Sequence, residues 1–333
     1  MKAAIAIALV FVGCMSNVVF LELLVKEDPG SGNLITFLQF LFIALEGFIF
    51  TSKFGTQKFH IGLKDYLVLV IMFFVVSVCN NYAFDFNVPM PLHIIFRSGS
   101  LITNMIMGII ILNKKYPLSK YVSVCMITLG IILCTIVSGK EVKSTATRGP
   151  PTTPYEDFFW WTIGILLLTI ALFISARMGI YQEVLYARHG KHSREALFCT
   201  HLMPLPFFLI IWSNIYEHWL LALESEQVVV VSNIYLPKMV LYLIGNVLSQ
   251  YVCISSVYTL TAECSSLVVT LVVTLRKFAS LLFSVIYFDN PFTLMHWAGT
   301  LLVFIGTVIF TELDKRVLGA IKNKSKSQTK KVN

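Results

Sequence analysis

Cys264 to Phe288 reads CSSLVVTLVVTLRKFASLLFSVIYF, an apolar run of membrane length with Arg276 and Lys277 side by side near its middle. At a rise of about 1.5 Å per residue the run covers about 36 Å and places the two cations about 18 Å from its start. Each cation at the centre of a membrane helix costs roughly 2.5–3.5 kcal/mol, and from that depth neither reaches the interface easily. Such a pair calls for a polar cavity, and the ligand that suits a doubly cationic cavity is an anion. Neutralisation by carboxylates of neighbouring helices is the competing explanation. The chain offers few of them: Glu22 and Glu46 lie inside or near helix ends, and Asp85 stands at one.

The rest of the 333-residue chain is of the same kind. Hydrophobic residues make up 56% of it and charged residues 13%, and the mean hydropathy is +0.77. These values exclude a soluble globule and indicate a polytopic helical membrane protein. In a soluble chain the net charge of +8 would point to nucleic acid; here the basic residues sit in short loops and one tail, which is a topology signal. The seven cysteines, at 14, 79, 125, 134, 199, 253 and 264, lie in apolar runs or at their edges and form no C-x-x-C pair. They read as small buried side chains, with neither a disulfide framework nor a zinc site expected. The N-terminal apolar stretch continues to Val25, too long for a signal peptide and right for a span.

Spans are expected near 3–25, 33–51, 66–84, 89–112, 121–138, 158–176, 196–215, 238–260, 264–288 and 294–311. The stretch 216–237 is harder to assign, being polar at EHW and ESEQ yet carrying VVVV. With a cytoplasmic N-terminus, 18 of the 26 basic residues fall on the cytoplasmic side and 5 on the other, and Arg97, Arg276 and Lys277 lie within spans. This asymmetry fits ten spans with both termini cytoplasmic. Residues 139–157, rich in Pro, Thr and Gly, read as a flexible linker between a first five-helix repeat at 1–138 and a second at 158–311, with a basic tail at 312–333. Five spans per repeat put the second repeat into the membrane upside down, an inverted-repeat arrangement. The segments KKYPLSKYVSVCMITLG and FDNPFTLMHWAGTLLVFIG echo each other across the two repeats. The fourth and ninth spans likewise both carry intramembrane cations.

On the fourth span His93, Arg97, Ser100 and Asn104 step by four, three and four, and so share one helix face around a cation. On the ninth, Thr270, Thr274, Lys277 and Ser284 form a similar stripe, with Arg276 turned about a quarter circle away. Asn80, Asn81 and Tyr82 lie late in the third span; Asn246 and Gln250 are one turn apart in the eighth. Polar groups like these also serve simply to join membrane helices. In the seventh span Pro204 and Pro206 bend the helix beside Thr200 and His201, either for packing or to expose them to a cavity. His60 and Asp65 spell H-x-x-x-x-D without a companion motif, and H-E-x-x-H, G-x-S-x-G and P-loop patterns are missing. No metal or cofactor is therefore expected. Lys330 and Lys331, fourth and third from the end, have the form of a dilysine address read by coat proteins for retrieval to the endoplasmic reticulum.

The stretches NNYAFDFNVPMPLHIIFRSGSLITNMIMG, LNKKYPLSKY and TLRKFASLLFSVIYFDNPFTLMHWAGT resemble the nucleotide-sugar transporters, solute carrier family 35, subfamily B, of the drug/metabolite transporter superfamily. The resemblance covers nearly the whole chain. It implies an all-α integral membrane protein of ten transmembrane helices in an inverted five-plus-five repeat, a transporter and not an enzyme. It also implies a multi-pass protein of the Golgi or endoplasmic reticulum membrane, in contact with membrane lipid, with spans five and ten available for a homodimer. The activity implied is antiport by alternating access, with UDP-N-acetylglucosamine or UDP-xylose entering the lumen as UMP leaves. Of the F-Y-N-N motif that contacts guanine in GDP-mannose carriers, the matching Phe198, Cys199, Thr200 and His201 keep only the Phe, so guanine recognition is not implied. The G-A-L-N-K motif matches Val273, Thr274, Leu275, Arg276 and Lys277, with Arg in place of Asn, which adds a positive charge suited to a diphosphate. On this basis Arg97, Arg276 and Lys277 are expected to hold phosphate. Asn80, Asn81, His93, Asn104, Thr200, His201, Gln250 and Thr274 are expected to hold base, ribose and sugar. The rival readings are another phosphate-bearing solute exchanger of this fold and an intramembrane enzyme acting on a phosphorylated lipid.

Overall fold

A computed structural model describes residues 2–86, 88–113, 115–140, 154–190, 192–231, 234–263 and 266–310. Its helices are α1 (Lys2–Glu27), α2 (Gly32–Phe50), α3 (Leu63–Asp85), α4 (Met90–Ser98), α5 (Ser100–Leu112) and α6 (Leu118–Lys140). Then follow α7 (Pro154–His189), α8 (Ser193–Leu202), α9 (Trp212–Leu223), α10 (Lys238–Glu263), α11 (Ser266–Tyr287) and α12 (Leu294–Phe310). Among the described residues eight segments are long and apolar enough to cross a membrane. The 22-residue α11 and the 17-residue α12 complete the ten passages expected. The linker expected at 139–157 lies mostly outside the described residues, and the tail with Lys330 and Lys331 wholly so.

Three expected passages need correction, and the unassigned stretch gains a structure. The fourth passage is two helices, α4 and α5, parted at Gly99, because the carbonyl of Phe96 takes its bond from the Gly99 N–H in a tight turn (2.9 Å). The seventh passage is α8, a 3-10 run over Leu205–Ile211, and α9. Pro204 and Pro206 withhold backbone donors there, and a 3-10 run of that length marks a helix under strain. The helix α7 reaches His189, well past the expected end at 176. Residues such as Gln182 and Arg188 are good helix formers, so the helix continues after its apolar stretch has ended. The stretch that resisted assignment forms an antiparallel hairpin, β1 (Gln227–Val231) with β2 (Ile234–Pro237).

The helices pack in pairs: α1 with α10, α3 with α7, α2 with α8, α4 with α11, and α6 with α12. Counted by passage these are one with eight, three with six, two with seven, four with nine and five with ten. Each pair joins a helix before residue 141 to one after residue 153, and exchanging the two sets of five returns the same pairs. Small residues set the closest contacts, as they do where lipid supplies no hydrophobic drive between helices. A Cβ on Gly130 of α6 would lie 2.5 Å from the Gly299 carbonyl oxygen of α12. A Cβ on Gly13 of α1 would lie 2.9 Å from the Cys253 nitrogen of α10, and beside it Cys14 and Cys253 form a disulfide with Cα atoms 4.7 Å apart. This bond corrects the reading of all cysteines as free: 239 residues separate the pair, so no local spacing announces it.

Amide side chains tie the passages further. Gln39 Nε2 donates to Asn246 Oδ1 (2.6 Å), while Asn17 and Asn246 exchange side-chain to backbone bonds of 3.1 and 3.2 Å between α1 and α10. Asn246→Leu removes two interhelical bonds, the one Gln39 makes to its side-chain oxygen and the one its amide nitrogen makes to the Asn17 carbonyl, and leaves the Asn17 bond to the backbone carbonyl of residue 246. At about 0.6–2 kcal/mol per such bond in a membrane, it should lower the unfolding temperature in detergent measurably while leaving the helix content unchanged.

Candidate functional site

The two broken passages bring polar groups to mid-membrane depth, where irregular backbone is tolerated only against protein or a watery cavity. Arg97 stands two residues before the break at Gly99. Its neighbours Phe96 and Ser98 are buried, whereas Arg97 itself keeps an exposed side chain within the bundle. Its helix α4 packs on α11, and the charge of Arg97 acts on both Arg276 and Lys277. The two cationic elements of the sequence therefore meet at one place.

Among the described residues none of the three cations has a carboxylate partner. The candidates for that role are engaged elsewhere. Glu22 accepts from Ser284 Oγ (2.6 Å) and from Asn290, Glu46 accepts from the Tyr251 hydroxyl (2.9 Å), and Asp85 lies close enough to His218 to feel its charge. Arg276 approaches the disulfide sulfur of Cys253 with Nη1 (3.8 Å), a weak acceptor, and its buried Nε has no partner among the described residues. Unpaired cations with an orphaned guanidinium donor are poised for an anion: Arg offers a planar fork and Lys a point charge.

The other expected residues divide. His93 is 3% exposed, with Nε2 3.2 Å from the Asn80 carbonyl and its ring stacked on Phe84 at 4.3 Å, so it supports the break from behind. Asn81 donates to Thr36 Oγ1 (2.8 Å) and Asn33 Oδ1 (3.3 Å), and Asn33 donates on to Asn214 (3.0 Å), a network joining α3, α2 and α9. Thr200 and His201 return their side chains to the α8 backbone at 2.7 and 2.8 Å, and the His201 ring packs between Phe40 and Phe73. His93, Asn81 and the His201 ring join helices in this conformation, while Thr200 is spent on its own helix. Asn104 is exposed on α5 and does not share a face with buried His93, since the break at Gly99 interrupts the expected stripe. Asn80 uses its amide nitrogen on Val76 O (2.7 Å), which leaves its side-chain oxygen available, and Gln250 is half-buried with no bond among the described residues. The Thr274 side chain lies outside the described residues. His60 and Asp65 do not form a pair: His60 meets Glu195, and Asp65 lies 3.5 Å from the Tyr181 hydroxyl.

Ties cross both ends of the bundle. At one end Asp28 meets His218 (2.6 Å), Glu27 pairs with Lys238, and Lys26 Nζ donates to the Phe288 carbonyl (2.9 Å). At the other, Glu195 at the start of α8 collects the Ile61 N–H (3.1 Å), the His60 N–H (2.9 Å) and the Tyr66 hydroxyl (3.0 Å). Such cross-bundle ties, remote from the cations, were not legible as pairs in the sequence.

The model of one family, the UAA transporter family, matches residues 2–314 of the chain. The chain is 60% identical to an endoplasmic reticulum GDP-fucose transporter of Drosophila melanogaster, over 99% of this chain and 96% of that protein. It is 55% identical to a UDP-xylose and UDP-N-acetylglucosamine transporter of Danio rerio, over 97% of each. It is 53% identical to the nucleotide sugar transporter SLC35B4 of Homo sapiens, over 99% of this chain and all of that one.

Proposed function

Because the chain belongs to the UAA transporter family, and is a multi-pass nucleotide-sugar transporter and not an enzyme, we infer that it works as an exchanger. A nucleotide sugar, UDP-N-acetylglucosamine or UDP-xylose, passes from the cytosol into the lumen of the endoplasmic reticulum or Golgi, and UMP returns. The carrying observation is the meeting of Arg97, Arg276 and Lys277 without a carboxylate partner among the described residues. A UDP-sugar bears about two negative charges and UMP about −1.5 to −2. One cationic site thus accepts either, and the exchange nearly balances charge.

In this reading the three cations take the phosphates, and Asn80, Asn104, Gln250 and Thr274 supply polar contacts to base, ribose and sugar. The helices of residues 1–138 and 158–311 act as two inverted repeats. With the termini cytosolic, as the loop charges favour, the Glu195 tie is the cytosolic closure and the Asp28–His218 and Glu27–Lys238 ties the luminal one. Opening one set at a time gives alternating access to the cations. Homodimers through α6 and α12, and retrieval through the terminal lysines by coat proteins, complete the proposal.

A second reading, GDP-fucose as substrate, is favoured by the name of the Drosophila relative. Against it, of the four residues at the guanine-contacting positions only Phe198 is kept, and Thr200 and His201 are bonded to their own helix. Sealed proteoliposomes preloaded with UMP or GMP separate the two. The expected result is UMP-driven uptake of UDP-xylose and UDP-N-acetylglucosamine exceeding GMP-driven uptake of GDP-fucose. Uptake of GDP-fucose alone would replace the uridine reading with the guanosine one.

A further inference from the structure

At the end of the bundle away from the Asp28–His218 tie, the loop 51–62 folds onto the start of α8 and lines an open pocket of about 420 Å³. His60, His192 and Glu195 meet in it, with ligand-capable atoms all within 4.8 Å of one another. The two imidazole rings stack face to face, centroids 4.1 Å apart and planes 9° from parallel, and His60 Nδ1 lies 2.9 Å from Glu195 Oε2. The other carboxylate oxygen, Oε1, is held by the Tyr66 hydroxyl (3.0 Å) and the Ile61 N–H (3.1 Å), which fixes how Oε2 is presented. His192 Nε2 lies 3.1 Å from the His189 carbonyl, a contact that takes an N–H, so the lone pair of the neutral ring is at Nδ1.

We propose that His60, His192 and Glu195 form a transition-metal site whose ion is zinc. Two imidazoles and one carboxylate are a zinc donor set, and three protein ligands leave one tetrahedral position open. The bonds that orient Glu195 and His192 are the outer support that metal ligands require. Lys58 and Arg194 line the same pocket and favour an anion as the fourth ligand, while a donor set of two nitrogens and one carboxylate weighs against magnesium or calcium, which need several oxygen donors. At metal distances of about 2.0–2.1 Å the donors of a filled site stand about 3.3 Å apart. His60 and Glu195 are already that close; the stacked imidazoles must turn apart for both lone pairs to reach one ion, and His192 follows Gly190, whose φ of +88 marks a turn that can adjust. In the sequence the signal is the H-x-x-E of His192 to Glu195 entering a helix, with His60 brought in from another loop.

The loop 51–62 comes from the first five passages and α8 from the second, so an ion bound here clasps the two and slows exchange. The test uses the full chain, untagged, in nanodiscs, stripped with a chelator and titrated with cobalt, then zinc. The expected result is one tetrahedral cobalt spectrum per chain, displaced by zinc, with zinc raising the unfolding temperature. His192→Asn should weaken zinc binding at least tenfold, and Lys64→Ala, an exposed cation outside the pocket lining, should retain it. His192 is half-buried at a loop, so its variant keeps the fold, and an equal unfolding temperature without metal checks that. Zinc content or cobalt spectra equal in wild type and His192→Asn overturn the site. So does an unfolding temperature of the wild type that zinc leaves unchanged.

Discussion

Lys277→Ala should weaken nucleotide-sugar binding by about 10- to 150-fold and at the same time raise the stability of the empty protein. The first figure follows from a charge-assisted hydrogen bond worth about 1.5–3 kcal/mol, at about 1.4 kcal/mol per factor of ten. The second effect has a different origin. Lys277 sits within the fields of Arg97 and Arg276, and among the described residues no carboxylate offsets them. Removing one of three mutually repelling, partly desolvated cations relieves the empty site. Thermal unfolding with and without UDP-N-acetylglucosamine or UMP reads both quantities: a higher midpoint without ligand, and a smaller rise with it. A variant less stable in both conditions would place Lys277 in packing and remove it from the anion site. Arg276→Lys should fall between, since it keeps the charge and loses the planar fork.

Gly130→Val disrupts the α6–α12 pair, at a cost of about 1–3 kcal/mol or more. A Cβ there meets the Gly299 carbonyl at 2.5 Å and the Val303 side chain at 2.8 Å. The first obstacle is backbone, which cannot swing aside as a side-chain tip does, so the two helices must part. Parting them exposes a buried seam in which Cys134, His296 and Ser138 are bonded across the pair. The unfolding temperature in detergent and the yield of folded protein should both fall. Gly179→Val on α7, where an added Cβ would meet nothing within 4 Å, serves as the tolerant control. A Gly130→Val protein as stable as that control would refute the close approach.

The ten passages and the intramembrane position of Arg97, Arg276 and Lys277 were legible because hydropathy and charge within an apolar run are properties of a segment taken alone. The break at Gly99 was not: glycine occurs throughout membrane helices, and nothing local to SGS distinguishes a hinge from a packing site. Pro204 and Pro206 did announce the break in the seventh passage, because a missing N–H acts wherever the helix runs. Polar residues expected at the site proved the least readable. Asn81 and His201 look like ligand contacts in a string of letters, but Asn81 is bonded across helices and His201 back to its own helix. The disulfide and the Glu195 cluster depend on pairs 239 and about 130 residues apart, which only the fold brings together.

The pairing of every early helix with a late one has a consequence for how the protein is made. While the first five passages leave the ribosome, none of them can yet meet the partner that covers its inward face. The segment bearing Cys14 must wait for the one bearing Cys253, 239 residues later. At roughly 5–20 residues per second that is a delay of about 10–50 s. Through that interval Asn17, Gln39 and Arg97 are held in or beside lipid without their final neighbours, an interval in which membrane chaperones and quality control have access to the chain.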